Sequence, residues 1–190
     1  MKVVTLTYKD VVDKVEKLIL AIDFQPEVII GVMNGAKFMI NQFKQSEKFN
    51  TSYFIDTKLQ RETEKVKKKK IVRVILKMLP YALLNRLRII ESKKVQSKIK
   101  NIDLVTLNNL SLTIENLPGI ELKNILIIDD AVDSGKTLYI IQNQLMKKYP
   151  KAKIKSAVIA WTITESIVQP DYYLFKDTLV RYPWSKDFKS

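Results

Sequence analysis

The chain has 190 residues, nearly half of them hydrophobic, which suits one domain with a sizeable buried core. It contains neither cysteine nor histidine, which excludes disulfides, thiol nucleophiles, thiolate or imidazole metal sites and Ser-His-Asp triads; carboxylates, hydroxyls, amines, backbone amides and hard cations remain. The formal net charge of +13 is uneven, because residues 57–101 hold 15 Lys and Arg against 3 acidic residues, so the charge alone does not argue for a nucleic-acid-binding protein.

No apolar run approaches the length of a membrane span, and the first ten residues lack the apolar stretch of a signal peptide, so a cytoplasmic protein is expected. Thr7 reads as an N-cap, and Val11, Val12, Val15, Leu18 and Ile19 follow at helical spacing until Pro26. Val28 to Val32 is a short, β-branched apolar run, the pattern of a buried strand. Met33-Asn34-Gly35 reads as a tight turn, Ala36 to Phe43 as a helix, and Phe49 to Asp56 as a second strand. Lys65 to Ser97 is rich in helix formers, with apolar residues at Val72, Ile75, Leu79, Leu83, Leu87 and Ile90. This spacing predicts an amphipathic helix or a pair of helices divided at Pro80.

Asp103 to Leu107 resumes strand-like alternation, and Asn124 to Ile128 is another buried strand. Leu138, Ile141, Leu145 and Tyr149 mark a helix with Lys147 and Lys148 in its last turn, where the dipole favours cations. Lys155 to Trp161 reads as a strand, and Tyr172 to Trp184 as one short strand and a loop. Strands alternating with helices predict an α/β fold with a mostly parallel twisted sheet flanked by helices. Residues 1–190 are expected to form one domain, with 57–101 as a basic, largely helical insertion.

The informative stretch is Ile125-Leu126-Ile127-Ile128-Asp129-Asp130-Ala131-Val132-Asp133-Ser134-Gly135-Lys136-Thr137-Leu138. An apolar strand runs into two adjacent carboxylates, then a small loop, then a helix. In an open α/β sheet a ligand sits beyond the carboxyl end of such a strand. Free amides at the helix start suit a phosphate, and Gly135 permits close approach of the backbone. Asp129 and Asp130 would repel that phosphate; they suit hydroxyl donors or a divalent cation beside it. A sugar phosphate offers both features. The competing expectation is a mere strand end with a helix cap. Gly135-Lys136-Thr137 also ends like a nucleotide-binding P-loop, but that motif requires glycine where Asp130 stands.

These residues resemble the phosphoribosyl pyrophosphate signature of type I phosphoribosyltransferases. Ile29-Ile30-Gly31-Val32-Met33-Asn34-Gly35 resembles the early strand and pyrophosphate loop of the 6-oxopurine branch. Pro170-Asp171-Tyr172-Tyr173 and Tyr182-Pro183-Trp184 resemble the tail of its xanthine/hypoxanthine/guanine enzymes. The resemblance implies the type I phosphoribosyltransferase fold and transfer of phosphoribosyl from phosphoribosyl pyrophosphate to a purine. Asp129 and Asp130 would hold the ribose hydroxyls, directly or through Mg2+, and Ala131, Val132, Ser134, Gly135, Lys136 and Thr137 would line the ribose and 5′-phosphate site. Asp133 would be the general acid/base, Asn34 and Gly35 would line the pyrophosphate site, and Leu179 and Val180 the base pocket. Trp161 and Trp184 are candidates to stack on the base, with core packing as the alternative for each. A homodimer or higher homo-oligomer is expected.

The sequence departs from the family in three places. The stretch Ala157 to Glu165 carries no Lys where the 6-oxopurine enzymes place a donor to purine O6, which leaves room for adenine. Leu179 stands where a stacking aromatic is usual, and Asn34 where a basic residue is usual. The insertion can be read as a hood attracting a polyanionic substrate, as an oligomer seam along Leu79, Leu83 and Leu87, or as a nucleic-acid or anionic-membrane contact through Lys67 to Lys70. A regulatory, nucleic-acid-binding protein that keeps the fold is the alternative function.

Overall fold

A computed structural model describes residues 1–32, 35–58, 76, 78–110, 113–114 and 116–189. Among these residues, six strands form the central sheet in the order β4-β3-β2-β5-β6-β7. They are β2 (Val28–Val32), β3 (Tyr53–Lys58), β4 (Thr113–Ile114), β5 (Asn124–Val132), β6 (Lys153–Trp161) and β7 (Tyr172–Lys176). The β2, β3, β5, β6 and β7 pairings are parallel, and β4 runs antiparallel to β3. The sheet is built outward in both directions from the β2–β5 pair. The crevice between the carboxyl ends of those two strands is therefore its topological switch point.

Alternation along the strands divides the core into two faces. Ile29, Leu126, Ile128 and Ile159 pack against α1 (Tyr8–Ala21) and α2 (Ala36–Gln45). Val28, Ile30, Ile125, Ile127 and Val158 pack on the other side against Leu138, Ile141 and Leu145 of α5 (Lys136–Lys148). Ile125 to Ile128 are essentially fully buried, worth about 2 kcal/mol per side chain. This anchors the strand that delivers the acids. Helix α1 starts with the expected Thr7 cap as a full capping box: Asp10 N–H donates to Thr7 Oγ1 (3.2 Å), and Thr7 N–H donates to Asp10 Oδ2 (2.8 Å).

A second, two-stranded parallel ribbon joins β1 (Lys2–Thr5) to β8 (Thr178–Arg181). Helix α3 (Tyr81–Ile99) begins immediately after Pro80. Residues 59–75 and 77, with Val72, Ile75, Arg61 and the Lys67 to Lys70 run, lie outside the described residues.

Several elements differ from the sequence reading. Asp103 to Leu107 is not a strand. Asp103 caps a short helix, α4 (Leu104–Asn108), accepting from the Val105 amide (2.9 Å), and this local bond outweighs the alternating pattern. The tail holds two strands, because Asp177 adopts a positive φ of 50° and turns the chain between β7 and β8. Phe49 ends a 3-10 turn, Glu47–Phe49, rather than starting β3. On α3 the packing face is rotated from the expected stripe: Leu84 is 1% exposed, whereas Leu83 is 45% exposed.

Candidate active site

Strand β5 continues past its apolar run to Val132, carrying Asp129 and Asp130 to the switch point. Asp130 N–H donates to Asp129 Oδ1 (2.8 Å), and Trp184 Nε1–H donates to Asp130 Oδ2 (2.8 Å). Tyr182 OH donates to the Asp130 carbonyl (2.7 Å), and its ring stacks on Trp184 with centroids 4.9 Å apart. Among the described residues, none of Asp129, Asp130 and Asp133 has an ion-pair partner. Burial, then the neighbouring Asp130 charge, pushes Asp129 well above the usual carboxylate range. Burial also raises Asp130, and the Trp184 hydrogen bond offsets part of that. Burial, reinforced by the carboxylates, raises the Tyr182 phenol well above its ordinary value, so it stays a donor. A half-buried acid pair without a counter-charge is stabilised by hydroxyl donors or a cation.

The loop after β5 is shaped by Gly135, at φ 81°. A Cβ there would lie 2.9 Å from the Val168 amide nitrogen, so both conformation and space require glycine. The first α5 bond runs from Tyr139 N–H to the Gly135 carbonyl (2.9 Å). The amides of Thr137 and Leu138 therefore precede the helical ladder and are available to an anion, while the Lys136 amide makes a long bond to Ser134 Oγ (3.5 Å). From the far side of the switch point, Gly35 closes against the acids, since a Cβ there would sit 2.2 Å from the Asp130 carboxyl carbon. Asp129 to Leu138, with Val32, Gly35 and Trp184, line a polar cleft of 350 Å³. Every residue expected to bind ribose and phosphate lies on it, and so does Gly35. Asn34 is outside the described residues.

A second cleft of 540 Å³ adjoins the first, sharing Asp130, Ala131 and Asp133 with it. It is lined by Leu179 and Val180 from β8, by Thr162 and Ile163 after β6, and by Leu84, Leu87, Arg88 and Ser92 from α3. Asp133 sits at the junction, held by the Thr162 hydroxyl, which donates to its Oδ1. The Thr162 amide in turn donates to the Val132 carbonyl (2.9 Å).

Trp161, the expected base contact, lines neither cleft. It is 4% exposed and packs edge-on to Tyr173, with Nε1–H donating to Ser166 Oγ (2.9 Å). Trp161 is thus packed in the core, while Trp184 lines the polar cleft. Sequence reasoning also missed Thr162 and Arg88. Arg88 donates to the Val180 carbonyl (3.0 Å) and to both carboxylate oxygens of Asp187 (2.8 and 2.6 Å), tying α3 to the tail. Arg181 meets the same carboxylate from the interior (2.9 Å). No signal in the local sequence marks these pairings, which span 92 to 99 residues for Arg88.

Residues 5–184 match the family model described as "Phosphoribosyl transferase domain". The chain belongs to this family. As a phosphoribosyltransferase it falls in the glycosyl-transferring class of enzymes, and its parallel sheet with flanking helices is the type I fold. Among solved structures it is similar to a purine phosphoribosyltransferase from Pyrococcus horikoshii, at 22% identity and TM-score 0.59, covering 100% of this chain and 97% of that one. It is also similar to the Helicobacter pylori xanthine-guanine-hypoxanthine phosphoribosyltransferase, at 19% identity and TM-score 0.56 over 96% and 91% of the two chains. A Neisseria gonorrhoeae protein solved with bound ppGpp matches at 15% identity and TM-score 0.55, over 97% and 89%. No curated protein gave a significant match. At these identities the structural likeness concerns the fold. Among the described residues, no helix is long and apolar enough to cross a membrane, and no cluster of three or more acidic side chains forms a self-sufficient metal site.

Proposed function

We propose that this phosphoribosyltransferase transfers the phosphoribosyl group of phosphoribosyl pyrophosphate to a ring nitrogen of a purine, releasing pyrophosphate. The observation that carries this reading is the meeting of two unlike clefts at Asp133. One offers paired acids and helix-start amides, which match a sugar diol and its 5′-phosphate. The other offers apolar side chains of Leu84, Leu87, Ile163, Leu179 and Val180, which match the faces of a flat heterocycle. The Helicobacter and Pyrococcus proteins act on purines according to their names, which agrees with this choice of base.

In this mechanism Asp129 and Asp130 accept hydrogen bonds from the ribose 2′- and 3′-hydroxyls. Their raised proton affinity favours partners that bring a proton or positive charge. The amides of Thr137 and Leu138 hold the 5′-phosphate, and Gly35 borders the pyrophosphate side. Holding base and sugar together contributes through orientation, and Asp133, oriented by Thr162, serves as general acid/base at the base nitrogen. The acid pair suits Mg2+ carried in with the substrate better than a resident ion, because two carboxylates supply too few ligands alone. When bound, Mg2+ would neutralise charge on the departing pyrophosphate. Segment 57–101 is then an insertion whose helix α3 walls the base cleft.

The test is a steady-state assay with phosphoribosyl pyrophosphate, Mg2+ and, in turn, adenine, hypoxanthine, guanine, xanthine and uracil. Formation of a purine monophosphate is expected, and turnover with none of the purines would refute the proposal. A regulatory, nucleic-acid-binding reading draws on the exposed cations of α3, namely Arg86, Lys93, Lys94 and Lys98. It would require a salt-dependent mobility shift with RNA or DNA that is lost on deleting Lys67 to Lys70.

A further inference from the structure

Ser92 lies in the middle of α3, is 6% exposed, and lines the 540 Å³ cleft. Its Oγ is buried with no hydrogen-bond partner among the described residues. A serine inside a helix ordinarily satisfies its hydroxyl on the carbonyl one turn back. Here the residue one turn back is Arg88, and the Ser92 hydroxyl does not bond to its carbonyl. Leaving a buried hydroxyl without a partner is unfavourable, and a ligand able to complete the bond would remove that cost. The surrounding lining explains why the protein itself does not complete it. Leu84, Leu87 and Val95 on the same helix are apolar, and the Arg88 guanidinium is committed to Asp187 and the Val180 carbonyl. Ser92 thus has an unused donor and an unused acceptor on the wall of a cleft that Asp133 also lines.

We propose that Ser92 is a specificity-determining residue that hydrogen-bonds the polar edge of the base bound in this cleft. The inference rests on the base-site reading given above and extends it to a residue of the basic insertion. In this arrangement the base lies between the Leu179–Val180 segment and α3. One part of its rim faces Asp133 and another faces the Ser92 hydroxyl. Because a hydroxyl can donate or accept, Ser92 suits either an exocyclic amino group or an oxo group. This bears on a protein whose residues Ala157 to Glu165 offer no lysine for an oxo group. Arg88 is the positioning residue of this wall. By holding the Val180 carbonyl and Asp187 it fixes the distance between α3 and β8, and so the width of the slot.

The experiment compares wild type, Ser92→Ala and Ser92→Thr, each with the preferred purine. Kinetics are measured with base and phosphoribosyl pyrophosphate varied separately, and melting is followed without base. The expected result is a base KM raised about tenfold in Ser92→Ala, with the KM for phosphoribosyl pyrophosphate changed less than about twofold. The Thr variant should recover most of the loss. Without base, Ser92→Ala should melt at or above the wild-type temperature, since the orphaned hydroxyl is gone. An unchanged base KM in an otherwise active Ser92→Ala protein would overturn the role of Ser92 and leave the assigned reaction standing. A lower melting temperature, with both KM values moving together, would assign Ser92 to packing and also overturn the proposal. A wild-type protein that turns over no purine overturns both readings.

Discussion

Asp133 stands where the two clefts join, with its carboxylate oriented by Thr162 rather than neutralised by a cation. A group so placed reaches the reacting nitrogen without binding the sugar, so Asp133→Asn should lower kcat by about 100-fold or more while moving either KM little. Steady-state kinetics check this, and equal turnover would remove Asp133 from the chemistry. Asp129 behaves differently. Its folded-state proton affinity is raised by burial and by Asp130, so at neutral pH the ionised form destabilises the ligand-free fold. Asp129→Asn keeps an acceptor for the Asp130 amide yet removes that charge. It should stabilise the ligand-free protein by about 1 kcal/mol while abolishing transfer. Thermal melts paired with activity assays separate the two effects. At this scale the acids, the loop and Gly135 were legible because strand, acids and helix start are contiguous. Trp184 could be named but not placed, since its partner Asp130 is 54 residues away, and Thr162 lay 29 residues from Asp133 with nothing local to link them.

The β5–α5 connection is the element on which the proposed phosphate site depends. Gly135→Ala imposes a side chain at φ 81° and drives its Cβ to 2.9 Å from the Val168 nitrogen. A cost of about 1–2 kcal/mol is expected, together with a raised KM for phosphoribosyl pyrophosphate as the amides of α5 shift; chemical denaturation and kinetics measure both. Elements with strong apolar signatures, β2, α1, β5, α5 and β6, were readable from period and caps. Elements that exist through distant pairing were not. Lys2–Thr5 is a strand because Thr178–Arg181 lies beside it, and Thr113–Ile114 because β3 offers an edge. On α3 the apolar pattern was visible but its facing was not. A roughly even scatter of apolar residues around a helix leaves the packed side to tertiary contacts, and Leu84 rather than Leu83 turned inward.

At the scale of the whole molecule, one carboxylate joins helix α3, the β1–β8 ribbon and the tail. Burial alone would raise Asp187, but hydrogen bonds from Arg88 and Arg181 outweigh it and hold its pKa at about 2, below the ordinary 3.8. The folded-state value is depressed, so the stabilisation is complete above about pH 4 and is lost as pH falls from 4 towards 2. Over that window it amounts to about 2 kcal/mol. Unfolding measured across the window should show this loss in wild type, and Asp187→Asn should flatten that part of the profile while being less stable at neutral pH. The chain also carries only two tryptophans, and the fold distributes them unequally. One indole is sealed in the core beside Tyr173, and the other donates its N–H to Asp130 while lying flat on Tyr182. Intrinsic fluorescence therefore contains a silent background and a gauge wired to the proposed sugar pocket. Replacing Trp161 by Phe would leave a single emitter, so that arrival and departure of the sugar could be followed in stopped flow without any attached dye.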